Sequence, residues 1–304
     1  MSKEMQKIKG ISAESLTDER LMRIKQTAIV AMFSDDELMD ILVLKGGNAM
    51  DIVHQVNARA SIDLDFSMAD DLDLDAVLPR VRATLLRSFE RDGYKAFDIK
   101  MTSRPGRMPD ELAAFWGGYL VEFKLISMER ALAVGGNIER MQREAINLGE
   151  GPKFTIDISR HEYVADKQEH DLLGYRIFVY SPEMIVCEKL RAICQQMPDY
   201  GSFIKRNGAG KPRARDFIDI AALVQKFQVD LTTERAQNAV RQMFDLKKVP
   251  LDYLGNIHTT RDFHALDYES VKATMKPGVK LEPFEHYFDF VVDQCEKLEG
   301  LWHV

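Results

Sequence analysis

Several segments in the first 160 residues alternate between apolar and polar positions, which is the period of a half-buried β-strand. In residues 61–67, isoleucine, leucine and phenylalanine alternate with serine and aspartate. Residues 119–125 and 154–159 repeat the pattern. A short apolar run at 41–44 leads into two glycines, which indicates another strand, or the end of a buried helix, before a turn. The pattern therefore predicts a sheet in this part of the chain.

Elsewhere the apolar residues recur at helical spacing. A capping-box pattern at Ser15–Asp18 begins the first predicted helix, and Ser181-Pro182 supplies a good N-cap and first turn for a later one. Beyond Ser181 the pattern is almost wholly helical, apart from a polar loop at 199–211. The predicted helices cover residues 15–40, 48–56, 78–91, 138–146, 182–197, 213–227 and 284–298.

This change of pattern predicts an α+β protein with a domain boundary near Tyr180. Residues 1–180 form a domain with a mixed sheet, and residues 181–304 form a helical domain that contributes to an active-site cleft. The length of 304 residues suits two domains. With 45% hydrophobic residues, 18 Gly and 10 Pro, disordered and collagen-like structures are excluded.

Net charge and cysteine content limit the possible partners and the cellular compartment of the protein. The net charge of -7 argues against a protein that coats nucleic acid non-specifically. Three cysteines, none in a Cys-x-x-Cys pair, indicate a reducing compartment. The sequence has neither a signal-peptide core nor a run of about 18 apolar residues. We therefore expect a cytoplasmic protein that does not enter a membrane.

The strand at 61–67 carries the most informative chemistry. Alternation puts Asp63 and Asp65 on one face, about 6.5–7 Å apart at the backbone, where their carboxylates can share a magnesium ion. Alone, such a pair is more often a solvated strand face. However, Gly46-Gly47 upstream offers a turn that could hold phosphate, and Asp157 supplies a third strand carboxylate. Three acids facing such a turn would form a two-metal site for in-line attack at phosphorus.

At these residues the chain resembles the AbiEii-type nucleotidyltransferases, which include the MenT toxins and belong to the DNA polymerase beta-like superfamily. The resemblance implies a polymerase-beta-like nucleotidyltransferase domain followed by a helical domain. Asn48 stands where the family commonly has a hydroxyl residue. The matching blocks, in the family's order, are Leu44-Lys-Gly-Gly-Asn-Ala49, Arg59-Ala-Ser-Ile-Asp-Leu-Asp-Phe66, Phe154-Thr-Ile-Asp-Ile-Ser159, Ser181-Pro-Glu-Met-Ile-Val-Cys-Glu-Lys-Leu-Arg191 and Arg213-Ala-Arg-Asp-Phe-Ile-Asp-Ile220.

The resemblance also implies a reaction. A nucleoside monophosphate would move from a nucleoside triphosphate (NTP) to an acceptor hydroxyl, most often the 3′ end of tRNA, and a cognate antitoxin would restrain the enzyme. Two Mg²⁺ ions would assist. On this basis Asp63, Asp65 and Asp157 bind metal, or Asp157 orients the attacking hydroxyl, and Asp216 is an active-site residue. The expected nucleotide-binding residues are Lys45, Gly46, Gly47, Asn48, Arg59, Ser61 and Lys189.

Helical geometry gives Lys189 independent support. It projects about 60° from the apolar stripe of its helix, at about 100° per residue, so its ammonium can reach a cleft. Asp216 and Asp219 share one flank of the helix at 213–227. Arg59 could position phosphate or pair with an acid, and Ser61 shares the strand face of the aspartates. The basic residues Lys205, Arg206, Lys211, Arg213 and Arg215 form a patch where an RNA backbone could enter.

Three alternatives remain open. A metal-dependent nuclease would use Glu122 and Lys124, a Glu-x-Lys on a strand, with Asp98 upstream. A binding module with the same fold would not need three clustered acids. A nucleotidyltransferase could also modify a protein hydroxyl instead of RNA. The seven histidines show no zinc-ligand spacing, and a Gly-x-Ser-x-Gly motif is absent, so zinc and serine-hydrolase chemistry gain no support.

Overall fold

The computed structural model of the chain describes residues 17–56, 63–148, 151–275 and 278–302. Within these ranges seven strands form one mixed sheet. The strands are β1 (Val43–Lys45), β2 (Leu64–Ser67), β3 (Tyr94–Arg104), β4 (Gly118–Ser127), β5 (Phe154–Ser159), β6 (Gln168–Leu172) and β7 (Tyr175–Val179). Their order across the sheet is β3-β4-β5-β2-β1-β7-β6, with β2–β5 and β1–β7 parallel and the other neighbours antiparallel.

Helices flank the sheet and make up the C-terminal part of the described chain, so the predicted α+β class is confirmed. A π-helical turn, Ala49–Val53, directly follows α3, and 3₁₀ turns lie at Ile257–Thr260 and Glu299–Leu301. The α-helices are α1 (Asp18–Phe33), α2 (Asp36–Ile41), α3 (Gly46–Asn48), α4 (Leu74–Arg91), α5 (Asp110–Ala113), α6 (Met128–Ala133), α7 (Ile138–Arg143), α8 (Pro182–Cys194), α9 (Pro198–Phe203), α10 (Ala214–Phe227), α11 (Glu234–Leu246), α12 (Tyr253–Asn256), α13 (Arg261–Ala265), α14 (Tyr268–Ala273) and α15 (Phe284–Glu296).

Alternation was a reliable guide to β5 and β4. In β5 the apolar residues are buried and the polar ones between them are partly exposed, as the period-2 pattern predicts. The strand at 61–67 is shorter than predicted, because β2 begins at Leu64 and Asp63 precedes it. Ile62 and Ser61 lie outside the described residues.

The single helix predicted over 15–40 is wrong. Two helices occupy this stretch, since the Asp35 side chain caps α2 by accepting the backbone N–H of Leu38. The first cap also differs: Thr17 caps α1 through the N–H of Arg20, and Ser15 lies outside the described residues. The apolar spacing continues across residues 15–40, but a local capping side chain starts a second helix within it.

Three strands escaped the pattern. In β3 the register shifts between Phe97 and Lys100, and Asp98 adopts φ +52, so a bulge breaks the period of two. The strand β6 lies at the edge of the sheet and consists mostly of exposed polar residues, which leaves no buried face to detect. Its hairpin partner β7 buries Ile177 and Val179.

All the described strands precede Tyr180, and the described residues from Ser181 onward form helices, turns and loops. Ser181 caps α8 as predicted, through the N–H of Met184. The polar loop predicted at 199–211 begins with a short helix, α9. The larger of two hydrophobic clusters among the described residues runs through both parts of the chain and includes Tyr180 itself, so a division at this residue stays a prediction.

None of the helices within the described ranges combines the length and the apolarity that crossing a bilayer requires.

Candidate active site

Two of the three expected metal-binding acids are direct neighbours in the sheet. Asp65 on β2 lies opposite Asp157 on the parallel strand β5, so both side chains leave the sheet on the same face. Asp63, one residue before β2, is exposed, and its carboxylate accepts a hydrogen bond from the Thr155 hydroxyl on β5. All three acids line one cleft. The structure therefore brings together the acids that alternation singled out.

The glycine turn packs directly on this cluster. Gly46 follows β1 with φ +66, a conformation that glycine adopts without steric cost. A β-carbon at this position would collide with the Oδ2 atom of Asp65 and would lie 3.0 Å from its Cγ atom. Only a residue without a side chain allows the backbone to pass so close to Asp65.

Asn48 has a different place from the one expected for a nucleotide contact. Its side chain is fully buried, and its amide group donates a hydrogen bond to the backbone carbonyl of Asp63. Its Oδ1 atom is buried without a hydrogen-bond partner among the described residues. Asn48 thus ties α3 to the segment that enters β2 and does not line the cleft.

Lys45 is buried beneath the turn and is held by two carboxylates. Its Nζ atom lies 2.8 Å from Glu188 and 3.7 Å from Glu162. Burial lowers the pKa of Lys45, but Glu162 and Glu188 outweigh burial and raise the pKa above its ordinary value. Lys45 also lies opposite Asp65 in the antiparallel β1–β2 pair, so it brings a fixed positive charge to the acidic cluster.

Asp65 is the most perturbed acid of the cluster. Burial raises the pKa of Asp65 to about 7, and the nearby carboxylates of Glu188 and Asp157 add to the rise against the opposing effect of Lys45. Such a pKa arises when like charges share a desolvated site. A bound cation would relieve this repulsion, so the electrostatics favour a positively charged ligand here.

Lys189 on α8 joins the helical part of the chain to the cleft. Its ammonium lies 2.8 Å from Asp216 and 2.7 Å from Asp219, both on α10. Burial lowers the pKa of Lys189, yet the two carboxylates outweigh it and raise the pKa. Burial raises the pKa of Asp216, and Arg213 and Lys189 reverse this and lower it well below its usual range. Because these two acids share one flank of α10, as expected, one ammonium can contact both.

Neutral His264 supports the same corner. Its Nδ1 atom accepts a hydrogen bond from the backbone N–H of Arg213, 3.1 Å away, just before α10 begins. Burial lowers the pKa of His264 to about 4, which keeps the ring neutral and able to accept this bond. The arginine side chain turns back to pair with Asp216.

The cleft has two lobes that share Lys45, Asp157 and Ser159. The first, here the Gly46 lobe, is about 400 Å³ and includes Gly46, Gly47, Lys189, Arg213, Arg215 and Asp216. The second, the Trp116 lobe, is about 460 Å³ and includes Arg104, Trp116, Gly118, Arg191, Gln195 and Lys247. Asp63 and Asp65 line the Gly46 lobe alone, and Asp157 lies where the two cavities meet, each of which is large enough for a small ligand.

Sequence reasoning missed the buried ion pairs behind these lobes. Glu162 lies 3.3 Å from both Arg191 and Lys247, and Glu188 lies 3.4 Å from Arg191. Glu188 and Arg191 stand in the block around Lys189, and their spacing along α8 could have indicated them. Glu162 and Lys247 carry no local signal, because only the tertiary fold brings them to the cleft.

The basic patch divides in the structure. Arg206 donates hydrogen bonds to the backbone carbonyls of residues 195 and 196, so it holds a loop in place. Lys205 is exposed and lies 3.6 Å from Glu111. Arg213 and Arg215 line the Gly46 lobe, whereas Lys211 does not. The expected sites Arg59 and Ser61 lie outside the described residues.

The residues of the nuclease alternative lie elsewhere. Lys124 pairs with Asp98 at 2.8 Å, and Glu122 pairs with Lys153 at 2.7 Å. Neither Glu122 nor Lys124 lines either lobe. The Glu-x-Lys on β4 is thus part of surface ion pairs of the sheet.

The three acids do not yet converge on a single point. Asp157 pairs with Arg104 at 2.7 Å, while Asp63 is turned to Thr155. Across the described ranges, no group of three His, Cys, Asp or Glu side chains is arranged to hold an ion as it stands. The oxygen donors still fit a hard divalent cation, since Asp65 and Asp157 are register neighbours on the same face of the sheet.

Comparison with known proteins gives one family. A family described as the nucleotidyl transferase AbiEii toxin of a type IV toxin–antitoxin system matches residues 27–293. No curated protein matches the chain.

Three solved structures are distantly similar to the chain. JHP933 from Helicobacter pylori is 19% identical with a TM-score of 0.47, covering 95% of this chain and 97% of its own. A nucleotidyltransferase structure from H. pylori is 20% identical with a TM-score of 0.46, covering 97% and 100%. An antigenic nucleotidyltransferase-like protein from Paracoccidioides brasiliensis is 14% identical with a TM-score of 0.36, covering 86% and 97%.

Proposed function

The chain belongs to the AbiEii nucleotidyltransferase toxin family, and from this premise we propose that it transfers a nucleoside monophosphate from an NTP to the 3′ hydroxyl of tRNA with the help of Mg²⁺. The observation that carries the proposal is the register of Asp65 against Asp157 beneath Gly46. It combines a pair of oxygen ligands with a backbone that leaves room for a ligand. Family membership also implies a nucleotide substrate and a protein antitoxin.

Asp65, Asp157 and Asp63 would hold two Mg²⁺ ions. When bound, the ions neutralise charge on the phosphates and polarise the reacting oxygens. The donor set consists of carboxylates alone, which suits Mg²⁺ better than softer metals. For Asp157 to take part, Arg104 must release it, because the two are paired at 2.7 Å.

The triphosphate belongs in the Gly46 lobe. There Gly46 and Gly47 expose backbone beside Asp65, and Arg213 and Arg215 supply positive charge. The Lys189 ammonium has three N–H donors and gives two of them to Asp216 and Asp219. The third is available for a phosphate oxygen. Asp216 then acts as a positioning residue that holds Lys189 at the lobe.

In the reaction the acceptor oxygen forms a bond to the α-phosphorus while the bond from that phosphorus to pyrophosphate breaks. The hydroxyl proton leaves to solvent, and Asp157 orients the hydroxyl for attack in line with the leaving group. In a site of this kind, catalysis rests on positioning and electrostatic stabilisation.

A labelling assay tests the function. Purified protein is incubated with total tRNA, Mg²⁺ and each α-³²P-labelled NTP in turn, beside Asp63→Ala and Asp65→Asn. Label should appear in tRNA with at least one NTP, and both variants should lose it. If the wild type labels neither RNA nor protein, or if the variants label equally well, the proposal fails. Label in the protein fraction alone would mean that the acceptor is a protein hydroxyl.

A further inference from the structure

The Trp116 lobe borders a buried cluster of ion pairs. Its ion pairs join three cations, Lys45, Arg191 and Lys247, to two carboxylates, Glu162 and Glu188, at distances of 2.8 to 3.7 Å. All three cations are buried. Among the residues that line the lobe, four cations outnumber two carboxylates, and an excess of positive charge is costly where it is buried away from water; the cations are Lys45, Arg104, Arg191 and Lys247, and the carboxylates are Asp157 and Glu162.

Two residues, Arg191 and Lys247, carry the excess positive charge. The Nε atom of Arg191 is buried and has no hydrogen-bond partner in the described part of the chain, although Arg191 is only 5% exposed. Burial, together with the charges of Arg191 and Lys45, lowers the pKa of Lys247 to about 8 against the opposing effect of Glu162. Both residues line the lobe. A buried donor without a partner, beside a lysine that an added negative charge would stabilise, matches an anionic ligand.

The wall of the lobe adds an aromatic surface. Trp116 and Pro105 line it, and Lys247 lies 5.9 Å from the centre of the Trp116 ring. A cavity of about 460 Å³ with a cationic floor and an aromatic wall suits a nucleotide, whose base stacks on aromatic rings and whose phosphate pairs with cations.

The geometry of in-line displacement assigns different roles to the two lobes. In-line displacement puts the attacking oxygen and the leaving pyrophosphate on opposite sides of the phosphorus. The Gly46 lobe, with its turn, Asp63, Asp65 and Lys189, meets the Trp116 lobe at Asp157, which lines both. If the triphosphate occupies the first, the acceptor occupies the second.

We propose that the Trp116 lobe binds the terminal nucleotide of a single-stranded RNA 3′ end, with its phosphate against Arg191 and Lys247 and its base against Trp116. This inference rests on the proposed function for the identity of the acceptor. Asp157, which both lobes share, then lies beside the terminal hydroxyl.

The test uses the intrinsic fluorescence of the lobe. The chain has two tryptophans, so Trp302→Phe leaves Trp116 as the single tryptophan, which is excited selectively at long wavelength in the presence of tyrosine. This variant is titrated with an RNA hexamer that ends in CCA and has a free 3′ hydroxyl, with Mg²⁺ but without NTP. We expect a saturable change in emission. Arg191→Lys retains the charge but removes the Nε donor, and it should weaken binding roughly tenfold.

Variants of the wall provide a second measurement. With a 5′-fluorescein hexamer followed by anisotropy, Trp116→Ala should raise the Kd roughly tenfold, while Trp116→Phe retains most of the stacking. Arg241→Ala, an exposed arginine on α11 outside both lobes, is the matched control and should bind within about twofold of wild type. Thermal melting checks that each variant is folded.

Three results would overturn the inference. The hexamer could bind without changing Trp116 emission, or Arg191→Lys and Trp116→Ala could bind as tightly as wild type. Inorganic pyrophosphate, or a serine- or tyrosine-containing peptide, could displace the hexamer from the lobe. Because the titration contains no NTP, its outcome is independent of nucleotide transfer. Hexamer binding without any labelling of RNA would reject the proposed function alone. Labelling of RNA with an unchanged acceptor KM in both variants would reject the assignment of the lobe alone.

Discussion

Replacing Gly46 by alanine tests how closely the turn and Asp65 depend on each other. The new methyl group would be in a left-handed conformation, φ +66, which costs about 1–2 kcal/mol. It would also collide with the Asp65 carboxylate, and relieving such overpacking costs about 1–3 kcal/mol more. We therefore expect the free energy of unfolding to fall by about 2–5 kcal/mol, as measured by urea denaturation.

The same change should nearly abolish transfer. Asp65 has to move away from the methyl group, and a shift of about 1 Å in a reacting group can cost about 100-fold in rate. Initial rates of RNA labelling at saturating NTP measure this loss. The expected result is a fall in kcat of at least about 100-fold in protein that remains folded.

Gly93→Ala is the matched control. Gly93 has φ +80, and a β-carbon there would meet nothing within 4 Å. The Gly93→Ala variant should therefore have the backbone strain of about 1–2 kcal/mol but retain its nucleotide-transfer activity. If Gly46→Ala were no less active than Gly93→Ala, the close approach of Gly46 to Asp65 would have no part in catalysis, and our account of the turn would be wrong.

Three further predictions concern stability. Lys189→Met leaves Asp216 and Asp219 buried without their ammonium and should cost about 3–5 kcal/mol in urea unfolding, part of which Asp219→Asn should restore; a loss under about 1 kcal/mol would contradict the buried triad. Burial raises the pKa of Glu162, but Arg191 and the neighbouring lysines outweigh it and lower the pKa to about 2, so its contribution is present above the unfolded value near 4.5 and disappears as the pH falls towards 2. Unfolding free energies between pH 5 and pH 2 should thus fall less steeply in Glu162→Gln than in wild type, and equal slopes would refute this assignment. Mg²⁺ at about 100 times its Kd should add about 2.7 kcal/mol to wild type in thermal unfolding and far less to Asp65→Asn, and equal gains would place the ion elsewhere.

Local pattern was sufficient for the centre of the site. The alternation around Asp65 and Asp157 predicted two polar strand faces, and those strands are neighbours in the sheet. A period of two needs no tertiary information, because it follows from the pleat of the strand. The same rule failed at β3, where the bulge at Asp98 interrupts the period.

Lys189 shows the limit of helical geometry. Its angle on α8 predicted a lysine at the border of the buried face, with its ammonium towards a cleft. In the structure Lys189 lines the Gly46 lobe, and its ammonium is also paired with Asp216 and Asp219, which the angle did not predict. Periodicity gives the direction of a side chain from its own helix, whereas its partners depend on which helix packs against it.

The sequence alone determined the alternation of the strands, the acids on their polar faces, the glycines of the turn and the helical second part of the chain, since each is a local consequence of backbone geometry. Only the tertiary structure decided that β5 pairs with β2 and that Glu162 and Lys247 meet in one buried cluster beside Trp116. Those residues are 85 positions apart along the chain, from 162 to 247. The pairing of Glu162 with Lys247 depends on burial and on the surrounding charges, and both arise only when the whole chain has packed.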